Sequence, residues 1–362
     1  MANSRVLHFI YALSGGGAER QLCMLAAESA SHGVDSVVFC ADQRDEPRLQ
    51  AAGVRVMRWN RRGKLDMGLY RVALAAIDEV KPDVVQVWLP TVISVPAMLA
   101  ARRRRVPCIF CYRNRQRCTS ARDIVEFVVA AACADKIISN NPVAQSSWPY
   151  RKLYACRAGK TIPNAVQVPE ALVRSEPPLR EAEPARLIFV GRLTEQKNIL
   201  GLMEALALVR SIRPWTLDVF GVGEQEAEAR ALVARYRLSD RVHFRGFSRE
   251  VFEHMAEADV LLFPSLYEGM PNVLVEALAL GLPVVASRVV ANEDVVKDSE
   301  CVVWADPASP ADVARQIDAV LNGEIDLGEN IRKGRQLAQC FGPHGMVAEY
   351  AEAYASLAKE AR

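Results

Sequence analysis

Long apolar runs are missing from this chain of 362 residues, and so is an excess of one charge. No stretch reaches the roughly twenty apolar residues that a helix needs to span a bilayer, so no membrane span is expected. Residues 1–5 lead into a strand rather than into the apolar core of a secretion signal, which points to a cytosolic chain. With 45 Lys and Arg against 43 Asp and Glu, the net charge is only +2, too balanced for the broad basic footprint of a nucleic-acid binder. Histidine is scarce, five in all, and no two are spaced as a metal pair. The nine cysteines are scattered, and Cys40, Cys108 and Cys301 fall in apolar strand segments, which suggests reduced thiols. Cys108 and Cys111 have Cys-x-x-Cys spacing, but no second pair accompanies them and both fit one strand. Metal or redox chemistry is not expected there.

What is present is alternation. Short apolar strands read at residues 6–11, 36–40, 54–59, 84–88, 108–112 and 136–139, then at 187–190, 217–220, 242–245, 260–263, 284–286 and 301–304. Longer amphipathic segments separate them. Continuous apolar strands joined by helices mean parallel sheets covered on both faces, an α/β fold. The length favours two domains. Residues 169–185, rich in Pro and Glu and without periodicity, read as a linker between a first domain (1–168) and a second (186–342), with a closing helix over 343–362.

Three segments carry chemistry. After the strand at 187–190 comes Gly191-Arg192-Leu193-Thr194-Glu195-Gln196-Lys197-Asn198, then an apolar helix from 199 to about 211. Gly191 permits a sharp exit from the strand. Arg192, a fork donor, and Lys197, a point charge, project from one turn and suit a diphosphate. Idle cations are disfavoured at a helix start, whose dipole repels them. The second segment is Tyr267-Glu268-Gly269-Met270-Pro271-Asn272-Val273-Leu274-Val275-Glu276-Ala277. It reads as a tight loop carrying Glu268 and a short helix carrying Glu276, capped by Asn272 and stopped at Gly281 and Pro283. Amides at such a helix start suit an anion, and the two carboxylates suit hydroxyl groups. The plain alternative is a pair of solvated glutamates. Third, Gly15-Gly16-Gly17 follows the first strand and opens a helix; it reads either as a tight turn or as a loop that lets a ligand approach the backbone.

Gly-Arg-Leu-x-x-x-Lys-Asn followed some seventy residues later by Glu-Gly-x-Pro-Asn-x-x-x-Glu-Ala resembles the donor site of the retaining glycosyltransferases of family four. The resemblance implies the GT-B fold, two Rossmann-like domains whose parallel sheets face a central cleft, with the closing helix crossing back to the first domain. It implies a metal-independent transfer without cofactor from a nucleotide-diphosphate sugar, UDP before GDP, to a glycan or polyprenyl-diphosphate-linked acceptor in bacterial surface polysaccharide synthesis. Arg192, Lys197 and Glu268 would then be catalytic. The donor would contact Gly16, Gly17, Gly191, Gly223, Phe247, Gly269, Met270, Asn272, Val273 and Glu276. Trp88, Arg113 and Asn114 would touch acceptor or sugar. Many relatives carry a histidine after the fifth strand; here the stretch is Cys111-Tyr112-Arg113-Asn114, and Arg113 with Asn114 would take over its hydrogen bonding. The arginines at 102–105, 113, 115, 117 and 122 suit an anionic membrane surface or a polyprenyl diphosphate, or form a solvated loop. A sugar-nucleotide epimerase of the same fold and a two-domain solute-binding protein are the rival readings.

Overall fold

The computed structural model describes residues 4–13, 17–41, 47–59, 68–89, 91–113, 121–141, 150–157, 159–174, 176, 184–297 and 300–360. The chain forms two units, Met1–Ala165 with Pro343–Arg362, and Val166–Gly342. Strands β1 (Ser4–Phe9), β2 (Val34–Cys40), β3 (Arg55–Arg58), β4 (Val84–Val87), β5 (Cys108–Tyr112), β6 (Lys136–Ser139) and β7 (Lys160–Thr161) build the first sheet. The second holds β8 (Ala185–Val190), β9 (Trp215–Phe220), β10 (Val242–Gly246), β11 (Val260–Phe263), β12 (Val284–Ser287) and β13 (Val303–Ala305). All pairings are parallel, as continuous apolar strands require.

The first unit's helices are α1 (Gly17–Glu28), α2 (Pro47–Ala51), α3 (Leu69–Val80), α4 (Ser94–Arg104), α5 (Ala121–Cys133) and α6 (Tyr150–Cys156). The second has α7 (Ile199–Leu206), α8 (Glu226–Arg235), α9 (Val251–Glu257), α10 (Asn272–Leu280), α11 (Val290–Val296), α12 (Pro310–Leu321) and α13 (Leu327–Ala338). The last helix, α14 (Pro343–Glu360), belongs to the first unit.

Side-chain alternation covers each sheet on both faces. Leu7 and Phe9 of β1 enter one core and Val6 the other; in β8, Leu187 and Phe189 oppose Ile188 in the same way. Helix α14 presents Met346, Val347, Tyr350, Ala353, Tyr354 and Leu357 to the first unit, a stripe at helical spacing. Burial pushes the pKa of both tyrosines well up. Their hydroxyls are nonetheless satisfied: Tyr350 accepts from Arg113 at 3.0 Å, and Tyr354 donates to Gln86.

Strand order positions the sites. The sheets run β3-β2-β1-β4-β5-β6-β7 and β10-β9-β8-β11-β12-β13, so sequence order reverses direction between β1 and β4, and between β8 and β11. Ligands of open α/β sheets bind beyond the carboxyl ends of the strands at such a reversal.

Two boundaries move. The helix expected over 199–211 stops at Leu206, because the N–H groups of Arg210 and Ser211 turn to the Asp318 carboxylate on α12. The second unit begins at Val166, where Val166 and Val168 pack in its core. Of the segment read as a linker, residues 175 and 177–183 lie outside the described residues, and Arg174 is attached to the second unit: it donates its N–H to the Leu280 carbonyl at 2.9 Å and its guanidinium to the carbonyls of Ala258 and Met255. The two-residue strand β7 was too short to show in the sequence.

His8, fully buried on β1, lies in a directional hydrogen-bond chain. The Trp88 indole N–H donates to Nδ1 at 3.2 Å, Nε2 bonds Ser36 at 3.1 Å, and Ser36 bonds Ser29 at 2.9 Å. Ser29 then donates to the Ala26 carbonyl at 2.9 Å. The sequence of donors works only with a neutral ring protonated on Nε2. Burial pushes the His8 pKa down to about 3. A depressed folded pKa means that this stability is full above about pH 6.5 and is lost as pH falls toward 3, at about 1.4 kcal/mol per unit. Urea unfolding at pH 7 and pH 4 is expected to show a steeper loss in the natural protein than in His8→Gln. Equal slopes would remove His8 from the account.

Candidate active site

The reversal between β8 and β11 gathers the charged motifs of the second unit. The loops leaving β8, β9 and β10 are laced by backbone hydrogen bonds. Gly191 N–H donates to Phe220 O and Leu193 N–H to Val222 O, each at 3.0 Å; Gly221 N–H donates to Gly246 O at 2.8 Å. This close approach requires glycine at Gly221, with φ at +138°, where a Cβ would stand 1.8 Å from the Gly191 carbonyl oxygen. A Cβ on Gly223 would stand 2.2 Å from the Leu193 oxygen. Gly191, expected to supply the sharp exit, would accept a Cβ at ordinary 3.5 Å contacts. The tight positions are its neighbours across the lacing.

Lys197 lies just before Asn198, which takes φ +55° and turns the chain into α7. Its ammonium meets the Glu268 carboxylate of the loop after β11 at 2.6 Å, with side-chain exposures of 15% and 5%. It also lies 5.0 Å from the centre of the Phe263 ring. The ion pair therefore bridges the two strands at the reversal. Gln196 staples the same loops. Its amide donates to Tyr267 O at 3.1 Å, its backbone carbonyl accepts from Leu266 N–H at 2.9 Å, and its side-chain oxygen receives Arg192 at 3.3 Å. Sequence reasoning passed over Gln196, since nothing in its spacing marks it. Arg192 itself is exposed.

Helix α10 starts on the far side of this loop. Asn272 is its first residue rather than its cap; the cap position is Pro271, which has no side-chain acceptor. The Asn272 N–H turns back to Met270 O at 2.9 Å and the Val275 N–H to Pro271 O at 3.2 Å, while the Val273 and Leu274 amides between them come too early for an intrahelical acceptor. Gly269 and Met270 line the approach to that turn, Val273 lies in it, and Glu276 sits one turn further on, buried. Gly281 ends the helix at φ +74°, as its sequence position implied. Phe247 follows β10 and is 69% exposed, with Val222 and Tyr267 exposed on the neighbouring loops at the same end of the sheet.

In the first unit, Gly17, the last of the glycine triplet, opens α1; Gly15, Gly16 and Asn114 lie outside the described residues. Trp88 was expected to touch a ligand and instead is wholly buried, its N–H spent on His8 and its ring stacked on Tyr350. Arg113 is also buried. It donates to Asn164 and Tyr350, and its guanidinium lies 4.4 Å from the centre of the Trp88 ring. Its Nε has no hydrogen-bond partner. The Trp88–Arg113–Tyr350 stack is thus a core element under α14 rather than a surface. Among the described residues, no three His, Cys, Asp or Glu side chains are grouped to hold a metal ion, and no helix is long and apolar enough to cross a membrane.

Residues 174–337 match the family described as glycosyl transferases group 1, and residues 16–178 match the glycosyl transferase 4-like domain. The chain belongs to the group 1 glycosyl transferases. It is 36% identical over 160 residues to the 2-deoxystreptamine glucosyltransferase of Streptomyces kanamyceticus, covering 43% of this chain and 41% of that protein. It is 36% identical over 121 residues to the amylovoran biosynthesis glycosyltransferase AmsK of Erwinia amylovora, covering 30% of each. The chain thus matches less than half the length of either relative. HepE of Anabaena, whose crystal structure contains UDP and glucose, superposes with a TM-score of 0.81 at 20% identity, over 98% of this chain and 100% of that one. That likeness defines a GT-B fold, two α/β units built on parallel sheets of seven and six strands.

Proposed function

We propose that the chain is a retaining glycosyltransferase that moves a sugar from a nucleotide-diphosphate sugar, UDP-linked, to a glycan or polyprenyl-diphosphate-linked acceptor. Its setting is bacterial surface polysaccharide synthesis at the inner face of the cytoplasmic membrane. The observation that carries this reading is the Lys197–Glu268 pair bridging the β8–β11 reversal, with Arg192 on one side and the first turn of α10 on the other. Lys197 has three donors and spends one on Glu268, leaving others for phosphate oxygens. Arg192, Lys197 and the α10 amides stabilise the diphosphate as the glycosidic bond breaks, a preorganised electrostatic role that needs no divalent metal. Glu268 holds sugar hydroxyls beside the reacting carbon, and Glu276 accepts from the ribose. Phe247 offers a face to the base. The departing phosphate takes the acceptor proton, so the acceptor attacks from the side the phosphate leaves and the anomeric configuration is kept. The UDP found with HepE and the polysaccharide setting of AmsK support this choice of donor and pathway class.

The test is a transfer assay with UDP-sugars and excess chelator, the product anomer being read by proton coupling in nuclear magnetic resonance. Activity is expected to survive chelation and the product anomer to match the donor. Inversion would sink the reading. Loss of activity restored by one specific metal would remove the electrostatic mechanism.

A further inference from the structure

Helix α5 is apolar on its outer face as well as on the inner one, where Phe127, Ala130 and Cys133 meet the core. Every exposed side chain described on it is apolar: Ala121, Ile124, Val125, Val128 and Ala132. Ile124, Val125 and Val128 are more than half exposed, at 54%, 53% and 57%. Glu126 faces inward instead, buried and bonded to Ser94. A surface helix ordinarily turns its acids to water and its aliphatics to the core. This stripe joins a second one. Helix α4 runs beside α5 in the same direction, since Ser94 at its start reaches Glu126 and Arg102 near its end acts electrostatically on Cys133, the last residue of α5. Val92, just before α4, is exposed, and the outer face of α4 carries exposed Leu99, then exposed Arg102 and Arg103, with Arg105 just beyond its end. The neighbouring acids are engaged: Asp78 pairs with Arg104, and Asp135 accepts from the Cys108 N–H.

We infer that the α4–α5 face of the first unit docks on an anionic lipid surface, Ile124, Val125, Val128 and Leu99 entering the headgroup boundary while Arg102, Arg103 and Arg105 meet lipid phosphates. Charge decides the occupant. Among the described residues, the acids of α5 are withdrawn from this stripe, Glu126 buried and Asp123 half-buried and engaged, so exposed aliphatic side chains closed at one end by arginines complement a surface that is apolar within and negative at its rim. This deepens the membrane location proposed above by assigning the face that makes contact.

The test needs neither donor nor acceptor. The full chain is sedimented with vesicles of phosphatidylcholine containing phosphatidylglycerol, and with vesicles of phosphatidylcholine alone. Binding is expected to the anionic vesicles, weakening with added salt, and not to the neutral ones. The pair Ile124→Glu with Val128→Glu is expected to bind about tenfold more weakly or worse, and Arg102→Glu with Arg103→Glu about thirtyfold more weakly. All four positions are exposed, so circular dichroism is expected to be unchanged. Lys197→Ala is expected to bind vesicles as the natural protein does, which separates this surface from the transfer chemistry. Failure of the natural protein to bind anionic vesicles, or variants that bind equally well, would overturn the assignment. A dimer broken by the α5 pair without vesicle binding would assign the face to a second copy.

Discussion

Lys197→Ala is expected to lower turnover about a hundredfold or more and to destabilise the second unit by roughly 3 to 5 kcal/mol. The two losses have different causes. Turnover falls because a cation aimed at the leaving diphosphate is gone. Stability falls because Glu268, with only 5% of its side chain exposed, loses its 2.6 Å partner and is left buried without it. The double variant Lys197→Met with Glu268→Gln removes both charges and is expected to recover most of the stability and none of the turnover. Arg192→Ala, at an exposed position, is expected to show the catalytic loss alone. Steady-state kinetics and urea unfolding on the four proteins separate these outcomes. Near-normal turnover in both single variants would refute the diphosphate grip, and an undisturbed Lys197→Ala midpoint would refute the buried pair.

The second large effect is expected at a residue without a side chain. Gly221→Ala combines a φ of +138°, strained for any L side chain, with a methyl placed 1.8 Å from the Gly191 oxygen. The loops after β8 and β9 cannot both keep their places, so a loss of about 3 kcal/mol or more is expected, with a fall in activity as Arg192 and Lys197 shift. Gly246→Ala is the control. Its φ of +72° is also left-handed, but a Cβ there meets nothing within 4 Å, and only about 1 kcal/mol is expected. Comparable losses at both positions would mean that dihedral strain, not the lacing of the loops, governs the region.

These two cases show what the sequence could and could not disclose. Strands were legible because burial on both faces leaves continuous apolar runs, as in Cys108–Tyr112 and Val260–Phe263, which were read to the residue. Helix ends were less legible where a distant side chain intervenes, as Asp318 does after Leu206. The charged motifs were found because arginine, lysine and glutamate are rare at strand exits unless something needs them. That Lys197 and Glu268 pair with each other was not legible, because the contact spans 71 residues and rests on β8 lying beside β11. Trp88 misled for a related reason. An aromatic at a strand exit reads as a ligand platform, and only the returning helix α14 turns it into core.

That returning helix bears on how the chain comes off the ribosome. The second unit is one contiguous run, Val166–Gly342, whereas the first is split and includes Pro343–Arg362. A nascent chain stopped at residue 342 therefore carries every strand of both sheets, yet only the later half has its full complement of partners. In the earlier half, Arg113 still lacks Tyr350, Gln86 still lacks Tyr354, and one face of the sheet stands open where Val347 and Leu357 belong. Domains of a growing polypeptide usually mature from the amino terminus onward. Here the order runs backwards, and the part made first is the last to be finished.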